Sequence, residues 1–372
     1  METRILDSLS DVRPGQWDAL AGAQPFLRHS FLEAMSLSGC ACPETGWHPR
    51  HLTLWDGNEL AGALPLYAKD HSDGEFVFDG SWAEAYQRHG LAYYPKLLAN
   101  VPFTPVPGSR LLARDEASRE RLLANALDYA RTSGMSSLHI LFPSAAEAAL
   151  MNEAGMMIRK GVQFHWRNPG YRDFEDYLAA LTRDKRKKIR QERRRVVDAG
   201  VRLRRLTSSE IGDDDWAFFH RCYRLTYEVR GRRPYLNLDF FQRLGRAMPE
   251  SILLVLAERD GHPIAAALNL FDRDRLYGRY WGSVEDVPCL HFEACYYQAI
   301  EFAILRGIGV FEGGAQGEHK LARGFLPTET LSAHWLAHPE FASAVGRFLA
   351  QEAQGVSRYV DELGEHNPFK QE

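Results

Sequence analysis

Short apolar runs broken by an Asp-Gly pair occur twice along the chain. HLTLW (51–55) leads into Asp56-Gly57 and out through ELAGALPLY (59–67), while ILLVLA (252–257) leads into Asp260-Gly261 and out through PIAAALNLF (263–271). β-Rich runs on either side of Asp-Gly predict two antiparallel hairpins. The period then changes. ALDYA (126–130) and AIEFA (299–303) end amphipathic helical stretches, and each is followed, three residues on, by a glycine, Gly134 or Gly307. Such a glycine predicts a helix C-terminus, and the short strands SLHIL (137–141) and VFEG (310–313) follow. A third pair of blocks sets Gly155-Met156, then His165-Trp166 after eight residues, beside Gly324-Phe325 and His334-Trp335 at the same spacing.

Three matching blocks in one order are a tandem duplication. Each copy reads as an N-terminal helix, a β-meander, a long helix, a strand, a short helix and a final strand. Between its first two blocks the first copy is longer by about 31 residues, which places an insert near 80–115, rich in aromatic residues and proline (AYQRHGLAYYPKLLANVPFTPVPGSRLL). Connections of that length serve as lids or binding loops, or fill a gap as a packed Ω-loop. His165 and His334 occupy matching positions of the two copies, which favours a shared packing role.

A length of 372 residues, 45% hydrophobic and 25% charged, is that of a globular protein of two or three domains rather than a disordered or coiled-coil chain. No apolar stretch approaches the 18 or so residues that span a bilayer, and Glu2, Arg4 and Asp7 stand where a secretory signal needs an apolar core. A cytoplasmic protein without a membrane span is expected. Cys40, Cys42, Cys222, Cys289 and Cys295 contain no C-x-x-C pair, so neither a disulfide framework nor a metal site is indicated. The net charge of −4 conceals a segment, Arg183 to Arg205, whose own balance is +9.

Several segments carry a resemblance: VPFTPVPGSRLL (101–112), QFHWRNPGY (163–171), RDKRKKIRQERRRV (183–196), GRRPYLNLDFF (231–241), RYWGSVE (279–285), LHFEACYYQAI (290–300) and EGGAQGEHKLARGF (312–325). Together they resemble the FemAB-like group of tandem-GNAT proteins linked with peptidoglycan biosynthesis or recognition. The resemblance implies an α/β (α+β) fold of two tandem GNAT-like domains, each a mostly antiparallel mixed sheet flanked by helices. Residues 1–172 form the first domain, with the inserted loop, and 173–372 the second, which opens with the basic helix. It also implies transfer of an acyl or aminoacyl group to an amine, with aminoacyl-tRNA or acyl-CoA as co-substrate and no tightly bound cofactor.

In the basic run, Leu178, Leu181, Ile189 and Val196 make a thin apolar stripe that stops at Gly200, and most of the remainder is cationic. Crowded like charges repel, so a solvated helix face costs stability that a polyanion would offset. Lys185, Arg186, Lys187, Lys188, Arg190 and Arg194 are therefore candidate phosphate contacts, and tRNA the partner that the resemblance implies.

The glycine-rich segment 312–323 holds the densest chemistry. Gly313, Gly314, Gln316 and Gly317 allow backbone amides to approach a ligand. Glu318 and His319 can accept a proton from an attacking amine, while Lys320 and Arg323 can face a phosphate or a developing oxyanion. The first copy has an ordinary strand exit (HILFPSAAE, 139–147) at the same place. His291 and Glu293, two residues apart at a helix start, can face the same cleft or form a buried cap. The preceding Val287-Pro288-Cys289-Leu290 lacks the glycine turn that holds acyl-CoA pyrophosphate in GNAT enzymes, and nothing marks Cys295 as an activated nucleophile. Gln163 and Trp166 near the joint of the copies, Tyr280 and Trp281 on a strand, and Arg233 and Tyr235 before a helix complete the candidate substrate-binding set. The acceptor is an amine-bearing peptide or small molecule. A duplicated scaffold that recognises peptide or glycan without catalysis is the competing class.

Overall fold

The structure is a computed structural model that describes residues 1–314 and 317–370. It falls into two compact units, Met1–Gly161 with Glu329–Arg358, and Val162–Thr328 with Tyr359–Glu372. In chain order the strands are β1 (Glu2–Leu6), β2 (Trp47–Pro49), β3 (His51–Asp56), β4 (Glu59–Leu64), β5 (Leu66–Lys69), β6 (Lys96–Ala99), β7 (Leu112–Ala113), β8 (Ser137–Leu141), β9 (Met157–Arg167), β10 (Arg202–Thr207), β11 (Ile252–Arg259), β12 (His262–Phe271), β13 (Arg275–Ser283), β14 (Val310–Glu312) and β15 (Phe325–Leu336).

The second unit orders its strands β10-β11-β12-β13-β14-β9, antiparallel except for the parallel pair β13·β14. The first unit has β1-β3-β4-β7 and, separately, β2-β5-β6-β8-β15, with β6·β8 as its parallel pair. Both hairpins form where the Asp-Gly pairs placed them. Gly62 and Ala63 lie opposite Leu54 and Thr53, and the aligned Ala266 and Ala267 lie opposite Leu256 and Val255. One of the differences between the copies breaks a strand: Pro65 has no N–H for a ladder and splits β4 from β5, whereas Asn269, aligned with it, lies inside the continuous β12 beside a bulge.

The helices also close as the glycines indicated. Helix Glu116–Thr132 is capped by Asp115, whose side chain accepts from the Ser118 N–H at 2.7 Å, and buries Leu122, Leu123, Ala126, Leu127 and Ala130 at helical spacing; Gly134 beyond it has φ 73°. Its counterpart Gln298–Arg306 ends on Gly307 at φ 67°. The first core gathers Leu54, Leu64, Leu97, Leu122, Ile140 and Met151. The second gathers Val255, Leu276, Tyr297, Ile300, Phe311 and Phe325. Among the described residues no helix is long and apolar enough to cross a membrane.

Two boundaries differ from the sequence expectation. The units do not part at 172/173, because the last strand of each copy pairs with the other copy's strands: His165, Trp166 and Arg167 of β9 lie opposite Glu312, Phe311 and Val310, and Ser332–Leu336 of β15 opposite β8. The long connection of the first copy runs over 70–95, between β5 and β6, where β12 and β13 are joined by residues 272–274. It is not a bare loop: it contains helix Gly80–Arg88 and is fastened to the sheet by Lys96, whose Nζ donates to Ser72 Oγ and Glu75 Oε2, each at 2.8 Å, and to Asp79.

Candidate active site

In the second unit the parallel ladder of β13 and β14 ends at Tyr277 opposite Glu312. Past that point β13 stays with β12 as far as Ser283, while Gly313 donates to the Phe164 carbonyl (2.9 Å) and Phe164 donates to the Gly314 carbonyl (3.1 Å). The two strands therefore part, and the polar turn follows at once. A Cβ on Gly313 would stand 2.9 Å from the Phe325 ring, so this glycine serves close packing; Gly314 and Gly317 have φ of 80° and 103°, where a side chain would be strained. Residues 318–323 then wind as a 3-10 turn. Gln316 and the side chain of Glu318 lie outside the described residues.

Facing the turn is an irregular helix. Leu290–Phe292 begins it, the chain widens to a π turn over Glu293–Tyr297, and Gln298–Arg306 completes it. Such widened turns recur at functional sites because they re-aim side chains. Here the π turn carries Tyr296 to His319, hydroxyl to Nε2 at 3.1 Å. The His291 ring lies 5.5 Å from Tyr296, 5.5 Å from Trp281 and 6.0 Å from His319, centre to centre. Lys320, 5% exposed, donates from Nζ to the Gly314 carbonyl at 3.4 Å.

The electrostatics follow from burial. Desolvation, and after it the charges of His319, Arg323 and Lys320, push the His291 imidazole down to about 4; desolvation and the same two cations hold His319 below its ordinary value. Lys320 falls to about 8, chiefly by desolvation. Neutral imidazoles and an ammonium near its own titration point thus share one cluster, a perturbation of the kind found at acid–base sites.

Other expected site residues hold the structure together. Glu293, 4% exposed, accepts both Arg193 Nε and Nη2 at 3.1 Å and the Gln298 amide at 2.8 Å, so its carboxylate turns toward the basic helix and not toward His291. Arg323, 2% exposed, donates from Nη2 to both Glu192 oxygens (2.9 and 2.7 Å), from Nε to the Tyr297 hydroxyl (2.9 Å) and from Nη1 to the His319 carbonyl (2.6 Å). It is a brace rather than a phosphate contact. Gln163 and Trp166, three apart on β9, cannot share a face of a strand. Gln163 lies 3.3 Å from His165 Nε2, whereas Trp166 is sealed in the core against Tyr177. The same alternation parts Tyr280 from Trp281: Tyr280 packs on Tyr223 and Phe241, and Trp281 on His291. Tyr235 lies in line with Tyr280 through Tyr227 and Tyr223, and Arg233 is exposed on the loop before helix Leu238–Ala247.

The basic run is a helix, Arg183–Asp198, separated from Phe174–Ala180 by extended backbone at Leu181. Ile189, Glu192 and Val196 face inward. Lys187, Lys188, Arg190, Arg194 and Arg195 are exposed, and Lys185 and Arg186 are half-buried. Arg190 pairs with Glu175, and Arg194 with Asp198 at 3.5 Å.

Tyr296 and Glu192 had no isolated signal in the sequence, whereas Glu312 opens the glycine-rich segment. Tyr296 lay inside an apolar helix pattern, and Glu192 is one acid among many bases. Glu312, at the end of β14, is buried and held at about 7 by desolvation against the opposing pull of Arg275, which donates to it at 2.6 Å. A cleft of about 320 Å³ elsewhere in this unit, lined by Asp213, Trp216, Gln242 and Arg246 among others, includes none of the expected site residues.

The duplicated mixed sheet, with a parallel strand pair in each unit, is the fold of the tandem GNAT-type class of proteins. Within that class the chain belongs to the FemAB-like family, described as peptidoglycan biosynthesis/recognition, which it matches over residues 8–371. Solved structures share the fold across nearly the whole chain. FemX is 13% identical, with 92% of this chain and 99% of FemX covered at a TM-score of 0.58. The C-terminal domain of a protein assigned as a lysylphosphatidylglycerol synthetase from Agrobacterium fabrum is 11% identical, covering 92% and 97% at 0.57. L-PGS from Bacillus licheniformis is 10% identical, covering 91% and 97% at 0.56. No curated protein matches the chain.

Proposed function

We propose that the chain passes an aminoacyl group from tRNA to the amine of a peptidoglycan-related peptide, at the cluster of His291, Tyr296, His319 and Lys320 in the second unit. The observation that carries this reading is the convergence of those four side chains where β13 and β14 part. In the reaction the amine nitrogen attacks the donor carbonyl, the N–C bond forms and the carbonyl–oxygen bond to the tRNA breaks. His319, neutral, accepts the proton that the amine loses, and that proton leaves with the tRNA hydroxyl; Lys320 as ammonium faces the developing oxyanion. Exposed Lys187, Lys188, Arg194 and Arg195 supply the phosphate-binding face, and tRNA as donor places the reaction in the cytoplasm.

Acyl-CoA is the second donor to try, since Cys289 adopts φ 68° at the turn where GNAT enzymes use glycine. The test supplies the purified protein with charged tRNA or acyl-CoA and an amine-bearing peptide. Transfer from charged tRNA is expected, and Lys320→Met should reduce turnover at least about tenfold with an unchanged melting temperature. Transfer from acyl-CoA alone would reassign the donor. No transfer from either, with retained binding of peptidoglycan fragments, would make the protein a recognition module.

A further inference from the structure

The basic helix was singled out for its outer face, yet its inner face reaches the polar turn. Glu192 projects inward from the helix and is buried. It accepts two bonds from Arg323 Nη2 and one from the Tyr297 hydroxyl, while Arg323 spends Nη1 on the His319 carbonyl and lays its guanidinium 3.5 Å above the Phe292 ring. Glu192, Tyr297 and Arg323 thus form a closed triangle, because Arg323 Nε also donates to the Tyr297 hydroxyl at 2.9 Å. The bond to the His319 backbone ties it to the 318–323 turn ahead of Arg323.

We propose that Glu192 is a positioning residue: acting through Arg323, it holds the turn that carries His319 and Lys320 against the helix of His291 and Tyr296. The proposal rests on the reading of that turn as the reactive segment. A carboxylate that braces a guanidinium from two oxygens fixes direction as well as distance, which a single ammonium–carboxylate contact does not. The polar turn has few apolar anchors of its own: Leu321 is its one buried apolar side chain among the described residues, so polar bonds hold it, namely the brace, the Tyr296–His319 bond and the Tyr177 hydroxyl donating to the Arg323 carbonyl at 2.9 Å. Since Glu192 belongs to the same helix as Lys187, Lys188, Arg194 and Arg195, the element that presents cations outward also sets the turn inward.

Lys320 reports on the brace without any knowledge of the substrate. Its ammonium is lowered chiefly by desolvation and raised by Cys295. Its own charge in turn depresses His165, His291 and His319. Losing the carboxylate of Glu192 frees the turn and lets water in, which raises Lys320 toward the ordinary lysine range of about 10.4 against the smaller lowering by the uncompensated Arg323 charge.

The experiment labels the intact protein with acetic anhydride across a pH series and reads the Lys320 peptide by mass spectrometry. The midpoint of labelling should be near 8 in the parent protein and should rise by at least about one pH unit in Glu192→Gln. Tyr297→Phe, which keeps the ring and removes the hydroxyl of the triangle, should shift it in the same direction by less. Glu301→Gln loosens the same helix through Arg193 without touching Arg323 and should leave the midpoint in place. An unmoved midpoint in folded Glu192→Gln and Tyr297→Phe, an equal shift in Glu301→Gln, or an ordinary lysine midpoint in the parent protein would overturn the proposal. Failure to find a transferred group, by contrast, would bear on the reaction and leave the brace intact.

Discussion

At the scale of single residues, the acids and bases near the site divide by what burial leaves them to do. Glu293 shows the division. Two bonds from Arg193 and one from Gln298 occupy its carboxylate, so it stabilises the junction of two helices and is not a proton acceptor for an amine. Glu293→Gln should cost roughly 2–3 kcal/mol, below the 3–5 of a fully buried pair because Arg193 is 27% exposed. Turnover of the folded protein should remain. Urea unfolding with a parallel activity assay checks both; a stable variant without activity would return Glu293 to the reaction. His319 is the opposite case, exposed at its edge and held through Tyr296.

At the scale of elements, the basic helix separates its two jobs by face. Ile189, Glu192 and Val196 point inward, while Lys187, Lys188, Arg194 and Arg195 point to solvent. Changing those four to Gln removes charge but keeps helix propensity and leaves Glu192 and Arg193 in place. RNA binding to the parent protein should fall steeply with salt, by a log-log slope of about 0.7–0.9 per phosphate neutralised, and the quadruple variant should bind more weakly with a flatter slope and an unchanged melting temperature. Filter binding across a salt series measures this, and equal binding by the variant would leave the face as a solvated surface. The insert at 70–95 was legible as extra chain but not in its position. Lys69 opposite Lys96 sets the register that loops it out, and that pairing joins residues far apart in sequence.

At the scale of the whole molecule, a set of buried titratable groups makes the fold sensitive to acid. Burial drives His51, His165 and His334 down to about 3, and His139 well below its ordinary value. Unfolding returns each to about 6.5, so below that pH the unfolded chain binds protons that the folded chain refuses, and stability falls as the pH drops from 6.5 toward 3. Glu75 and Glu312, raised to about 7 by burial, act in the opposite sense between pH 7 and 4.5. These four imidazoles, with His291 beside them, outnumber the two carboxyls, so the histidines set the sign of the slope near pH 5.5. The urea midpoint should therefore be clearly lower at pH 5.5 than at pH 7.5; a higher one would contradict the buried, neutral state of these histidines. The sequence by itself determined the duplication, both Asp-Gly hairpins, the glycine-capped helices and the family, because these rest on local patterns that repeat along the chain. Only the tertiary structure decided that β9 and β15 pair across the copies, that Glu293 and Arg323 are braces, and that a π turn brings Tyr296 to His319. Each of those depends on hydrogen-bond partners far away in sequence, and a buried carboxylate or guanidinium acquires its role from whichever partner the fold sets beside it.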